Sequence, residues 1–134
     1  MEESNNGSKK LQIRNSTAEF LIFQIENKEE GIEVLYQDET LWLTQKTMSI
    51  LFDVDIRTIN EHLKNIYSQG EVDKNTTIRK NRIVQKEGNR NISREVFIYS
   101  LDAIISVGYR VNSVRATQFR QWCTFILRQF AIRG

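Results

Sequence analysis

This chain has few of the residues from which small enzymes and metal proteins are built. Among 134 residues there is one cysteine, Cys123, and one histidine, His62. A single cysteine excludes an intrachain disulfide. His62 and Cys123 fall on different predicted helices, with no third partner at a telling spacing, so neither a nucleophile–base pair nor a metal-ligand set is expected. His62 reads as a packing or groove-edge residue, and Cys123, between Trp122 and Thr124, as a small buried thiol. The six glycines are scattered, which leaves no glycine-rich phosphate loop and no cofactor motif. Carboxylates are frequent from Glu26 to Glu39 but show no convergent arrangement. No apolar run approaches the roughly 18 residues that cross a bilayer, and the polar N-terminus lacks the apolar core of a signal peptide. The expectation is a non-enzymatic, cytoplasmic protein without a membrane partner.

What the chain does have is a helix pair. Thr44 is a good N-cap for a helix from Gln45 to Phe52, in which Met48, Leu51 and Phe52 form one apolar stripe and Ser49 is small enough for a close crossing. Asp53 stands where a helix-turn-helix usually carries glycine, and Asp tolerates a left-handed backbone. Val54 fills the angle, Asp55 caps a second helix, and Ile59, Leu63 and Ile66 bury its inner face. Arg57, Thr58, Asn60, Glu61 and Lys64 are left facing outward, a set that suits the major groove of DNA. Any Thr-capped helix pair in a small bundle shares this pattern, so the pair alone does not decide the matter.

Charge distribution adds to it. The formal net charge of +2 is too small to argue for a polyanion, but the charges are unevenly spread. Residues 1–43 hold four Lys or Arg against nine Asp or Glu, whereas residues 74–94 hold seven against one. That basic stretch contains two runs of strand formers around Gly88 and Asn89, which read as a β-hairpin. A hairpin directly after a helix-turn-helix is where a wing belongs, and Arg79, Lys80, Arg82, Lys86, Arg90 and Arg94 are its candidate phosphate contacts. An ordinary solvated ribbon, with Lys and Arg discouraging edge pairing, is the plainer alternative.

Upstream, residues 1–17 are polar and read as a disordered tail. Residues 18–43 read as an N-terminal β-hairpin, with runs at Glu19 to Gln24 and Ile32 to Gln37, whose Leu41, Trp42 and Leu43 lead packs under the helix pair. Residues 44–99 form the helix-turn-helix and wing, and residues 100–134 two further helices. Ser100 caps the first of these, from Leu101 to Val107, with Gly108 at its end. Asn112 or Ser113 caps the second, where Phe119, Trp122, Ile126 and Phe130 trace one face and Phe125, Leu127 and Ile132 lie off it. So broad an apolar surface implies burial against more of the same polypeptide or a second copy. Arg110, Arg115, Arg120 and Arg128 read as solvated polar-face residues.

The stretch DETLWLTQKTMSILFDVDIRTINEHLKNIYSQGE and the block SLDAIISVGYRVNSVRATQFRQW resemble the N-terminal region of the RhuM family of bacterial proteins, found in prophages, mobile elements and a pathogenicity island. The likeness runs from Ile22 to Ile132. It implies a DNA-binding, virulence-associated protein, and because family members are longer, it implies that residues 100–134 lead into a larger protein whose remainder could carry its own activity. The expected fold is α+β, a winged helix-turn-helix with an N-terminal β-hairpin and a C-terminal helical extension. The expected function is double-stranded DNA binding in a transcriptional regulator, as a homodimer through the C-terminal helix. The competing expectation is a protein-interaction adaptor that keeps the winged fold and uses its aromatic C-terminal helix.

Overall fold

The computed structural model describes residues 34–133. They form a mixed fold of four strands and five helices: β1 Leu35–Gln37, β2 Thr40–Leu43, α1 Gln45–Phe52, α2 Ile56–Ser68, α3 Lys74–Thr77, β3 Ile78–Glu87, β4 Arg90–Ser100, α4 Leu101–Arg110 and α5 Val114–Arg133. The strands make one curled antiparallel sheet in the order β1-β2-β4-β3. The expected tail and the Glu19 to Gln24 strand lie outside the described residues. Within them, β1 pairs with β2, opposing Leu35 to Trp42 and Gln37 to Thr40. Asp38 and Glu39 close that hairpin with φ of 52° and 61°, since a two-residue turn with both centres left-handed matches the twist of the strands it joins.

Local chemistry sets the helix pair. Thr44 takes an extended backbone and its hydroxyl accepts from the Thr47 N–H at 3.1 Å. At the other end of α1, Asp53 adopts φ 56°, its N–H bonds the Ile50 carbonyl, and the Val54 N–H reaches back to Ser49. This is a Schellman ending built on aspartate instead of glycine. Asp55 then starts α2 by accepting from the Thr58 N–H at 2.8 Å. The same ending closes α2, where Gly70 at φ 67° lets its N–H reach Tyr67 and the Glu71 N–H reach Ile66.

Leu41 and Leu43 of β2, Phe52 of α1, Ile59, Leu63 and Ile66 of α2, Ile104 and Val107 of α4, and Phe119 of α5 meet in one core. Each such burial contributes about 1.5–3 kcal/mol. The rings of Phe52 and Phe119 meet edge to face, 5.0 Å apart at 85°. Gly108 does not end α4, which continues to Arg110. It lies within the helix under Phe119, where an added Cβ would come within 2.5 Å of the ring, so its role is close approach and not a left-handed stop. Ser100 occupies the N-cap position of α4 but makes no side-chain cap bond. Ser113 does cap α5, accepting from the Ala116 N–H at 3.0 Å, and donates to the Phe52 carbonyl at 2.6 Å, which ties α5 to the end of α1.

The remaining arginines expected on solvated faces divide. Arg110 donates to Gln69 and Glu71 and so holds the end of α2. Arg120 donates to the carbonyls of Gly108 and Val111, satisfying the last turn of α4. Arg128 is exposed.

Candidate nucleic-acid interface

The inner stripe of α2, Ile59, Leu63 and Ile66, is buried, and this turns Arg57, Glu61 and Lys64 to the outside as one exposed strip. Thr58 and Asn60 flank the strip and are half-buried. Asn65 and Ser68 complete the exposed face. Of the outward set read from the sequence, Arg57, Glu61 and Lys64 are exposed as expected, whereas Thr58 and Asn60 are half-buried, Asn60 at the edge that turns toward the sheet.

Beyond their bases, β3 and β4 run as a two-stranded ribbon closed at Gly88 and Asn89, with Gly88 at φ 64°. Directly opposed residues share a face of an antiparallel pair and successive residues alternate, so the register sorts the basic side chains. Ile78↔Tyr99, Lys80↔Phe97, Arg82↔Glu95 and Lys86↔Asn91 occupy one face. Arg79↔Ile98, Ile83↔Arg94 and Glu87↔Arg90 occupy the other.

The first of these faces turns toward α2. A cleft of about 510 Å³ lies between them, walled by Asn60, Lys64 and Tyr67 on α2 and by Ile78, Phe97 and Tyr99 on the ribbon, with Gln45 and Lys74 at its margins. Lys80 stands over the Phe97 ring, 5.6 Å from its centre. Arg82 donates to Ser93 at 3.2 Å and keeps its side chain 65% exposed, with Glu95 3.9 Å away. Toward the tip, Lys86 and Val84 join Thr44, Lys46 and Thr47 of α1 around a second, larger cleft of about 840 Å³. The two clefts share Gln45, Phe97 and Tyr99; Lys64 and Lys74 line the first, and Lys46 and Lys86, with Glu87, line the second.

The second face is spent internally. Arg79 stacks over Trp42 at 4.0 Å from the ring centre, donates to Gln37 at 3.1 Å, and pairs with Asp38 at 2.9 Å. Arg94 donates twice to one Glu87 oxygen, at 2.7 and 3.1 Å. Arg90 is exposed near the tip, on the ribbon face it shares with Arg79 and Glu87. Of the predicted phosphate contacts, Lys80, Arg82 and Lys86 share one ribbon face, Lys86 lining the cleft beside α1, and Arg79, Arg90 and Arg94 share the other.

Titratable groups follow their surroundings. The hydroxyl and then the backbone N–H of Thr58 hold the Asp55 carboxyl below its ordinary value. His62, on the flank of α2 nearer Arg110, is lowered first by desolvation and then by that guanidinium. Burial pushes the Cys123 thiol up to about 12, which keeps it protonated and unreactive at neutral pH. Among the described residues no group of three or more His, Cys, Asp or Glu is placed to hold a metal ion. No described helix is long and apolar enough to cross a membrane.

Sequence reasoning missed three residues of this surface. Gln45 donates through Nε2 to both Asn60 and Tyr99, Lys74 heads the short α3 capped by Asp73, and Phe97 is 51% exposed on the ribbon. The Asp73 cap was a readable signal for α3. The place of Gln45 depends on a contact fifteen residues away in sequence.

No curated protein and no solved structure matches the chain. The model of the Virulence protein RhuM family matches residues 76–134. This is narrower than the likeness traced from Ile22 and falls on the C-terminal part of the chain, taking in the ribbon, α4 and α5 but not the α1–α2 pair. Over that segment, the chain is similar to the Virulence protein RhuM family.

Proposed function

We propose that this chain is a winged helix-turn-helix module that binds double-stranded DNA, within a cytoplasmic transcriptional regulator that acts by binding and not by catalysis. One observation carries the reading: Lys64 of the exposed α2 strip and Lys86 of the ribbon line two adjoining clefts that share Gln45, Phe97 and Tyr99, and Lys80 and Arg82 stand on the same ribbon face as Lys86. In this arrangement α2 enters the major groove, where Arg57 reads guanine, Glu61 accepts from cytosine N4, and Thr58 and Lys64 contact phosphate. The ribbon lies along the neighbouring backbone. Arg79 is left out of the contact set, because its guanidinium is already taken by Trp42, Gln37 and Asp38.

Titration of a labelled random duplex at several salt concentrations tests this. Each phosphate contact steepens the log-log salt dependence by about 0.9. The expected result is a slope that Lys80→Ala, Arg82→Ala and Lys86→Ala each lower by about that amount, while Arg57→Ala blunts sequence preference. Duplex affinity indifferent to all four substitutions would remove the interface.

Phe125 and Leu127 of α5 are 51% and 61% exposed, and this favours a second copy on α5, whose two α2 helices would then read half-sites about 34–36 Å apart. The same exposure supports the adaptor reading, in which the partner on α5 is another protein. Light scattering with and without duplex separates them, since a tight oligomer without duplex affinity favours the adaptor.

A further inference from the structure

The geometry points to Gln45 as a positioning residue that fixes which hydrogen-bonding edge Asn60 shows to DNA, so that Asn60 selects a base rich in acceptors, guanine first. This rests on the DNA-binding reading above. Gln45 is the first residue of α1, directly after the Thr44 cap. A primary amide nitrogen carries two N–H groups, and in Gln45 both are engaged: Nε2 donates to the Tyr99 hydroxyl at 3.0 Å and to Asn60 Oδ1 at 3.4 Å. The anchor is firm, because Tyr99 is 5% exposed and its strand is paired on both sides, with Ile78 and with Leu43.

The consequence falls on Asn60. An unconstrained asparagine reads adenine with two bonds, Oδ1 accepting from N6 and Nδ2 donating to N7. With Oδ1 turned to Gln45, the end left for the groove is Nδ2, a donor. Guanine presents two acceptors there, N7 and O6, whereas adenine would set its N6 amino group against an N–H. The discrimination is on the order of tenfold, the size of one good base contact.

Selection from a random duplex pool with the full chain reads this directly. The wild type is expected to enrich guanine over adenine at one position, and Asn60→Ala to flatten that position alone. Gln45→Ala frees Oδ1 and moves the same position toward adenine. Gln45→Glu goes further, because a carboxylate accepts and so turns Nδ2 inward, leaving Oδ1 to favour the amino groups of cytosine or adenine. Tyr99→Phe keeps the ring in the core and removes only the hydroxyl. It is expected to weaken the guanine preference in the same direction, and it preserves the test if the Gln45 variants fail to fold. Adenine selected by the wild type at the Asn60-dependent position, or a preference unmoved by the Gln45 and Tyr99 changes, overturns the assignment while leaving DNA binding intact. A wild type that enriches no duplex overturns both.

Discussion

The two faces of the β3–β4 ribbon carry similar cationic side chains and hold them with different tightness. On one, Arg79 is sandwiched between Trp42 and Asp38, and Arg94 is held by Glu87. On the other, Lys80 lies over Phe97 at 5.6 Å, Arg82 keeps most of its side chain exposed, and Lys86 lines the cleft shared with α1. A count of Lys and Arg along residues 74–94 cannot separate these sets, but the parity of the strand can. How much positive charge a polyanion can use depends on how tightly the fold already holds it: Arg79 and Arg94 are paired at 2.9 and 2.7 Å, whereas Arg82 stands 3.9 Å from Glu95 and Lys80 5.6 Å from the Phe97 ring.

The comparison breaks most sharply under the combined substitution Lys80→Ala, Arg82→Ala and Lys86→Ala. Loss of three phosphate contacts is expected to lower duplex affinity on the order of a hundredfold at physiological salt, with a slope shallower by roughly 2.7. Unfolding in urea should be little changed. Arg79→Ala should do the reverse, costing about 1 kcal/mol in urea unfolding through the lost stack on Trp42 while leaving the salt slope alone. An Arg79 variant that binds duplex as weakly as the triple variant would erase the distinction between the faces.

A finer test is Glu87→Ala, which releases Arg94 from an exposed pair worth about 0.5 kcal/mol. Stability should scarcely move, and any gain in salt slope would report that Arg94 can swing to the bound side. The smallest effect expected is at His62. Its neutral form is favoured in the fold, so its contribution is complete above the usual value of 6.5 and is lost as pH falls toward the lower folded value. His62→Gln should flatten urea stability between neutral pH and that range. An unchanged pH profile would place the imidazole in a wetter setting than the one described.

The helix pair was legible because its determinants are local. Thr44, Asp53 and Asp55 each act within five residues, and the apolar stripes of α1 and α2 repeat at helical spacing, so both starts are found at Gln45 and Ile56 as the sequence indicates. The ribbon was legible as an element for the same reason, but its faces were not. Which arginines pair depends on register, and on a Trp42 that reaches the ribbon from another strand. Gly108 was misread because a glycine near a helix end resembles a stop, and only the position of Phe119, eleven residues on, shows that it marks a close approach. The four-residue α3 is too short to display any period. The Gln45–Asn60–Tyr99 network joins three elements, and nothing in the spacing of its members announces it.

The stretch similar to the RhuM family, residues 76–134, does not coincide with a unit that could stand alone. β4 takes one of its two neighbours, β2, from residues outside residues 76–134, and Phe119 rests against Phe52, also outside. Excised at residue 76, the polypeptide would bare an unpaired strand margin and half of an aromatic contact, a template for clumping. Sequence likeness and autonomous folding therefore draw their borders in different places on this molecule.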